Sequence, residues 1–265
     1  MIELSGKVAL VTGASRGIGR AIALGYAEAG ADIAVLARGA DGIEETAAAV
    51  EKLGRRVARL TCDVEDPSQI EHSVERATAE LGPLDIVVNN AGGITCGGPF
   101  LQLTPAQWRQ EIRLNLESVL HVCQSVGEAM VTRRQGSIIN IASLAGEAGM
   151  PNYAPYAMAK AAVTALTHSL AAEWGASGVR VNAITPGWMH TELTHGLATN
   201  QQLSESLLKA VPVGRFGRPD ELVGLAVYLA SDTSRFMTGS SVVIDGGITS
   251  YHGGSAMLQT ARAPA

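Results

Sequence analysis

Val8-Ala9-Leu10-Val11-Thr12-Gly13-Ala14-Ser15-Arg16-Gly17-Ile18-Gly19 is the stretch that decides the fold. Val8–Thr12 is a short β-branched and apolar run, which reads as a strand. An apolar helical pattern over 17–29 begins inside the glycines that follow, which are spaced G-x-x-x-G-x-G. Glycines let a backbone turn tightly and come close to a phosphate, and a helix N-terminus then offers free N–H groups and a positive dipole end. Gly13, Ser15, Arg16, Gly17, Ile18 and Gly19 are therefore candidates to cradle a dinucleotide pyrophosphate.

The same residues carry a competing signal. Gly13-Ala14-Ser15-Arg16-Gly17 fits G-x-S-x-G, the nucleophile turn of α/β-hydrolases, which also sits between a strand and a helix. Acidic residues and His190, His195 and His252 follow it. A hydrolase turn normally comes after several strands, however, and its oxyanion motif should precede it. His252-Gly253-Gly254 lies at the wrong end for that. A hydrolase using Ser15 is the alternative enzyme reading.

Outward from the turn, strand-like runs recur at Ile33–Ala37, Val57–Thr61, Ile86–Asn89, Ser137–Ile141, Val179–Ala183 and Ser241–Ile244. Helical patterns fall between them near 41–53, 67–81, 104–132, 153–176 and 219–230. Pro67, Pro105 and Pro219 stand near helix starts, where proline is tolerated. The alternation predicts an α/β fold, a doubly wound parallel sheet of seven strands in one domain covering 1–265. Residues 188–215, after the Pro186-Gly187 break, read as a substrate lid. The tail after Gly247 reads as poorly ordered at its end.

A second constellation lies further on. Ser143 precedes Tyr156 by thirteen residues, and Tyr156 precedes Lys160 by four. Positions i and i+4 share a helix face, which would bring the ammonium near the phenol. A nearby cation favours phenolate and lowers a tyrosine pKa, making it a usable acid/base. Such spacing is common by chance, so its weight comes from the βαβ context.

Cofactor choice rests on the end of the second strand. An acidic residue there would bond a ribose 2′-hydroxyl, but the run ends Val35-Leu36-Ala37-Arg38. Arg38 would attract a 2′-phosphate, and Arg16 would flank it, which favours NADP over NAD. Asp63 follows the third strand and would meet the adenine or cap a turn.

The chain has 265 residues, 46% of them hydrophobic, enough for one large core. A net charge of −5 without a basic patch argues against nucleic acid as a partner. Cys62, Cys96 and Cys123 are an odd number, widely spaced, which fits a reducing compartment. The start of the chain lacks a signal-peptide core and no run would span a bilayer, so a cytoplasmic protein with no membrane partner is expected. The histidines show no ligand spacing, and no metal is expected.

Thr12–Gly19, Asp63, Asn89-Asn90-Ala91-Gly92, Asn115, Ser143, Tyr156-x-x-x-Lys160, Pro186-Gly187 and Asp245-Gly246-Gly247 together resemble the short-chain dehydrogenase/reductase family over nearly the whole chain. The resemblance implies a Rossmann-type sheet and hydride transfer between a nicotinamide and an alcohol or ketone. It implies Tyr156 as general acid/base and Ser143 as the group that polarises the substrate oxygen. Lys160 would bind the nicotinamide ribose, and Asn115 would anchor a proton-relay water. Thr191 would hold the carboxamide, and Asn89 would stabilise the sheet beside the cofactor. Val64, Ala91, Gly92, Pro186 and Gly187 complete the implied cofactor contacts. Parts of the chain resemble gluconate 5-dehydrogenase-type sugar-acid reductases, and others 3-oxoacyl-carrier-protein reductases. The long helices at 104–132 and 153–176 imply a homo-oligomer, a dimer or a tetramer. A dinucleotide-binding protein without catalysis is the remaining alternative, against which the complete Asn115, Ser143, Tyr156 and Lys160 set speaks.

Overall fold

Seven strands form one sheet in the order β3-β2-β1-β4-β5-β6-β7, and every neighbouring pair is parallel. The computed structural model describes residues 2–250. The strands are β1 Val8–Thr12, β2 Asp32–Ala37, β3 Val57–Thr61, β4 Ile86–Asn89, β5 Gly136–Ile141, β6 Val179–Pro186 and β7 Ser241–Ile244. The helices are α1 Gly17–Glu28, α2 Ala40–Lys52, α3 Pro67–Leu81, α4 Pro105–Ile112, α5 Ser118–Arg133, α6 Leu144–Ala148, α7 Ala154–Trp174, α8 His195–Thr199, α9 Gln201–Leu208 and α10 Val223–Ala230.

Successive strand residues point to opposite faces, so each strand must be apolar on both sides once both faces are covered. Ala9 and Val11 of β1 join Ile33, Val35 and Val88 in a core closed by Ile22, Tyr26, Ile43 and Leu229 from α1, α2 and α10. Val8 and Leu10 join Leu36, Leu60, Val87 and Ile138 in the opposite core, closed by Ile70, Val122, Met130 and Val163 from α3, α5 and α7.

Local chemistry sets several helix starts. Asp66 caps α3 by accepting from the Ser68 and Gln69 N–H groups at 3.0 and 3.4 Å, with Pro67 next. Thr104 and Gln107 form a capping box before α4.

The expected helix over 104–132 is broken. A π-helical turn, Arg113–Glu117, separates α4 from α5. Asn115 Nδ2 donates to the Glu111 carbonyl at 3.1 Å, the acceptor that an α-helix reserves for the Asn115 backbone N–H. A side chain competing for its own i−4 carbonyl shifts the ladder to the longer register. The expected helix over 219–230 begins as a 3-10 turn, Pro219–Leu222. β6 runs three residues past the expected Ala183, because Thr185 and Pro186 pair with Val243 and Ile244 of β7. The 144–155 loop contains α6, and the 188–215 segment contains α8 and α9. The expectation for the chain end falls on 251–265, outside the described residues. Among the described residues no helix is long and apolar enough to cross a membrane.

Candidate active site

Strand order reverses between β1 and β4, and the crevice beyond their carboxyl ends is where open α/β sheets bind nucleotides. The Thr12–Gly19 turn lies there. Gly13 and Gly17 have φ of +64° and +55°. A Cβ on Gly13 would lie 2.8 Å from Asn90 Nδ2 and 3.0 Å from Ala91 Cα, so the turn tolerates only hydrogen there. Thr12 and Asn90, motif residues with no assigned contact, hold the turn. Thr12 Oγ1 accepts from the Asn90 and Ala91 N–H groups at 3.0 and 2.9 Å and donates to the Val88 carbonyl at 3.2 Å. Asn90 Nδ2 donates to the Thr12 and Gly13 carbonyls at 2.9 and 3.2 Å. α1 has no side-chain cap at its N-terminus, so its first N–H groups suit an anion. The geometry therefore fits a dinucleotide pyrophosphate.

The other expected cofactor residues surround this turn. Arg38 is exposed at the end of β2. Asp63 and Val64 follow β3, where Asp63 Oδ1 accepts from the Glu65 N–H at 3.1 Å. Ala91 and Gly92 follow β4. Gly187 follows β6, and its N–H donates to the Ile244 carbonyl at 2.9 Å. A Cβ on Gly17 would lie 3.7 Å from Thr191 Cγ2, so the lid base faces the glycine turn. Ser15 packs against α2, where a Cβ on Gly42 would lie 2.8 Å from Ser15 Cβ. Among the described residues no hydrogen bond links Ser15 to a histidine, and the hydrolase reading has no triad. Arg16 forms an ion pair with Glu192 of the lid base. Asn89 is directed into the sheet. Its Nδ2 donates to Asn140 Oδ1 at 2.8 Å and to Cys123 Sγ at 3.4 Å, which ties β4 to β5.

Ser143 caps α6 just beyond β5, its Oγ accepting from the Ala145 N–H at 3.2 Å. Its hydroxyl also acts on the Tyr156 phenol, lowering its pKa. Tyr156 and Lys160 lie one turn apart on α7, with exposures of 9% and 5%. Lys160 Nζ donates to the Ile141 carbonyl at 2.8 Å and sits 5.8 Å from the centre of the Tyr156 ring. The structure thus brings Ser143, Tyr156 and Lys160 together, as their spacing implies.

The expected electrostatics are reversed. Burial raises the Tyr156 phenol above its ordinary pKa; the Ser143 hydroxyl opposes this and the Glu111 charge adds to it. Burial lowers Lys160 to about 8, against a smaller opposing effect of Glu111. The Lys160 ammonium lies against the ring and a backbone carbonyl, and desolvation dominates both shifts.

Asn115 is fully buried at the π turn. Its Oδ1 accepts from the Gly93 N–H at 3.0 Å and its Nδ2 donates to the Gly93 carbonyl at 2.8 Å. The side chain expected to anchor a water is engaged with the 91–97 loop. Glu111 stands directly behind it, and the sequence reading missed it. Its signal was the i, i+4 spacing to Asn115.

A parallel sheet with a phosphate turn at its switch point, and a buried phenol and ammonium beside that turn, defines a nicotinamide-dinucleotide oxidoreductase. The family model described as Enoyl-(Acyl carrier protein) reductase matches residues 13–249. D-threitol dehydrogenase of Mycolicibacterium smegmatis is 41% identical over 249 residues, 93% of this chain and 94% of that protein. A 3-oxoacyl-(acyl-carrier-protein) reductase of Chlamydia trachomatis is 39% identical over 248 residues, 92% of this chain and 98% of that protein. The crystal structure of a gluconate 5-dehydrogenase from Burkholderia cenocepacia, in complex with NADP and tartrate, superposes with a TM-score of 0.90 at 38% identity, covering 95% of this chain and 98% of that one. The chain belongs to the short-chain dehydrogenase/reductase family. It is an oxidoreductase that transfers a hydride between a nicotinamide cofactor and a hydroxyl or keto group.

Proposed function

We propose that this enzyme uses NADP, that Tyr156 exchanges the proton with the substrate oxygen, and that it acts on a secondary alcohol or its ketone. The observation that carries this reading is the meeting of Ser143, Tyr156 and Lys160 at the carboxyl edge of the sheet, beside the glycine turn. NADP would supply or accept the hydride when bound. The backbone of Gly13, Ser15, Arg16, Gly17, Ile18 and Gly19 holds the pyrophosphate. Arg38 meets the 2′-phosphate with Arg16, and Asp63 and Val64 meet the adenine. Ala91, Gly92, Pro186, Gly187 and Thr191 hold the nicotinamide half, and Asn89 stiffens the strand ends beneath it.

Ser143 fixes the substrate oxygen against the phenol. Tyr156 gives its proton to the oxygen that becomes negative as a ketone is reduced. A phenol held protonated by burial suits that direction. Lys160 binds the ribose, and Asn115 maintains the relay that returns the proton from solvent.

Substrate class follows from charge. The loops 93–101 and 144–155 and the lid 188–215 carry Glu147, Glu192 and Glu205 against Lys209 and Arg215, with Glu192 paired to Arg16 and Arg215 paired to Glu221, so they present no basic cluster. This favours an uncharged polyol ketone over a sugar acid or an acidic acyl carrier. Placement in the cytoplasm rests on three free cysteines among the described residues. The protein works as one domain with residues 188–215 as the lid, in a two-fold homo-oligomer. A panel of a polyol ketone, a sugar-acid ketone and a 3-oxoacyl thioester, followed by NADPH absorbance, tests the substrate reading. The polyol ketone is expected to show the highest kcat/KM. A sugar acid turned over faster would overturn the charge argument.

A further inference from the structure

Three described acidic or basic residues are buried as whole residues: Asp32, Glu111 and Lys160. Asp32 is met by two guanidinium groups, Arg55 and Arg56, each at 2.7 Å. Glu111, at 0% exposure, has no such partner among the described residues. Its Oε2 accepts from the Thr95 N–H at 2.8 Å, from the Thr95 hydroxyl, and from the Cys96 N–H at 3.2 Å. Its Oε1 accepts from Asn115 Nδ2 at 2.9 Å. Every partner is a donor, the environment an ionised carboxylate needs. A leucine at this inward helix position would avoid the desolvation cost of a buried charge, which runs to several kcal/mol.

The contacts lead toward the reacting groups. Asn115 closes a two-bond ring with Gly93. A Cβ on the adjacent Gly92 would lie 2.7 Å from Asn115 Oδ1 and 3.5 Å from Lys160 Nζ, so that backbone is pinched between the amide and the ammonium. Facing Tyr156 and Lys160 are the Ser143 hydroxyl from the β5–α6 turn and the Ile141 carbonyl from β5, while the Glu111 charge acts on both from α4, behind Asn115. Cys96 lies behind on the 91–97 loop, its thiol pushed up by burial and by Glu111. Glu111 is the acidic charge that acts on both members of the pair, and on each it favours the protonated form.

We propose that Glu111 is a positioning residue for the proton transfer: its buried carboxylate fixes the 93–96 loop and Asn115 against the Tyr156–Lys160 pair. The inference rests on the assignment of Tyr156 and Lys160 made above. Removing the charge while keeping the shape lets the phenol ionise more readily.

The test is an ultraviolet titration of tyrosinate in the full-length protein, with Tyr156→Phe subtracted to isolate one phenol. In Glu111→Gln the Tyr156 midpoint is expected to fall by about one pH unit, the lower end of what a nearby charge produces. The pH profile of kcat should move down with it, and NADPH binding should persist. Glu111→Asp, which keeps the charge, should return the midpoint toward wild type. A folded Glu111→Gln protein with a wild-type midpoint would overturn the proposal. So would an aspartate variant that shifts as far as the glutamine one. Loss of folding in both Glu111→Gln and Glu111→Leu would assign the carboxylate to the fold and overturn it equally. The phenol titration needs no turnover. An active Tyr156→Phe enzyme would instead remove the proton-transfer assignment, and this inference with it.

Discussion

Burial acts in the same sense on both members of the reacting pair: it disfavours the phenolate of Tyr156 and the ammonium of Lys160. On the proposed role, Tyr156→Phe removes only the hydroxyl that exchanges the proton. Turnover should fall by about 10²–10⁴-fold, the usual contribution of general acid–base catalysis. Cofactor binding by fluorescence should stay near wild type; turnover within a few-fold of wild type would reject the role. Lys160 gives a prediction with a pH signature. Its value of about 8 in the fold lies below its ordinary 10.5. Below pH 8 the native and unfolded chains both carry the proton, and the native one bears the full cost of a buried charge, about 3 kcal/mol. Between these values the unfolded chain binds the proton and the native chain does not, so stability rises with pH. Lys160→Met should therefore raise Tm at pH 7, less about 1 kcal/mol for the lost bond to Ile141. That advantage should shrink as pH rises from 8 toward 10. Thermal scans across this range decide it, and a constant difference would contradict the assignment.

At the scale of elements, the β1–α1 turn and the β2 end are separable. The turn acts through backbone shape, and the β2 end acts through charge. Gly13→Ala imposes a side chain at φ +64° and drives a Cβ to 2.8 Å from Asn90 Nδ2. A left-handed L-residue costs roughly 1–2 kcal/mol by itself, so Tm and NADPH affinity should both drop. Thermal unfolding and fluorescence titration measure the two effects, and unchanged affinity would place the pyrophosphate elsewhere. Arg38→Asp leaves the turn intact and puts a like charge beside a 2′-phosphate. Relative affinity should move from NADP toward NAD, and titration with each cofactor reads the shift. Equal ratios before and after would show that Arg38 does not meet the phosphate. The π turn between α4 and α5 belongs to the same scale. Asn115 takes the Glu111 carbonyl and thereby creates the irregularity that seats it against Gly93.

Across the whole molecule, two helix layers close the sheet, yet apolar surface is left over. Val119, Val122 and Val163 are buried within the subunit. Leu116 of the π turn, Leu120 of α5 and Leu166 and Leu170 of α7 are only half-buried, and Met158 is 53% exposed. Phe100 and Leu101 add exposures of 67% and 97%. Leu116, Leu166 and Leu170 still pack against the subunit's own core, so the half-buried set and the exposed Phe100, Leu101 and Met158 are what the proposed like subunit would cover. Light scattering at micromolar concentration should give a dimer or tetramer. A fully active monomer would refute the assembly without touching the catalytic assignment.

Strand positions, the order of elements, the glycine turn and the Ser143, Tyr156 and Lys160 trio were legible from the chain alone. They rest on local physics: β-branched runs, helical period, proline at helix starts, and glycine where φ is positive. Long-range geometry was not local and could not be read. Asn90 and Thr12 matter because β4 lies beside β1 in the sheet, a neighbour relation that a separation of 76 or more positions along the chain conceals. The protonation balance also needed the fold. Spacing placed Lys160 near Tyr156 and implied a lowered phenol, but desolvation depends on how completely α4, α7 and the 91–97 loop close over the pair. Glu111 looks like any surface glutamate on an amphipathic helix in the sequence. Only tertiary packing turns it inward, away from water, and makes its charge count.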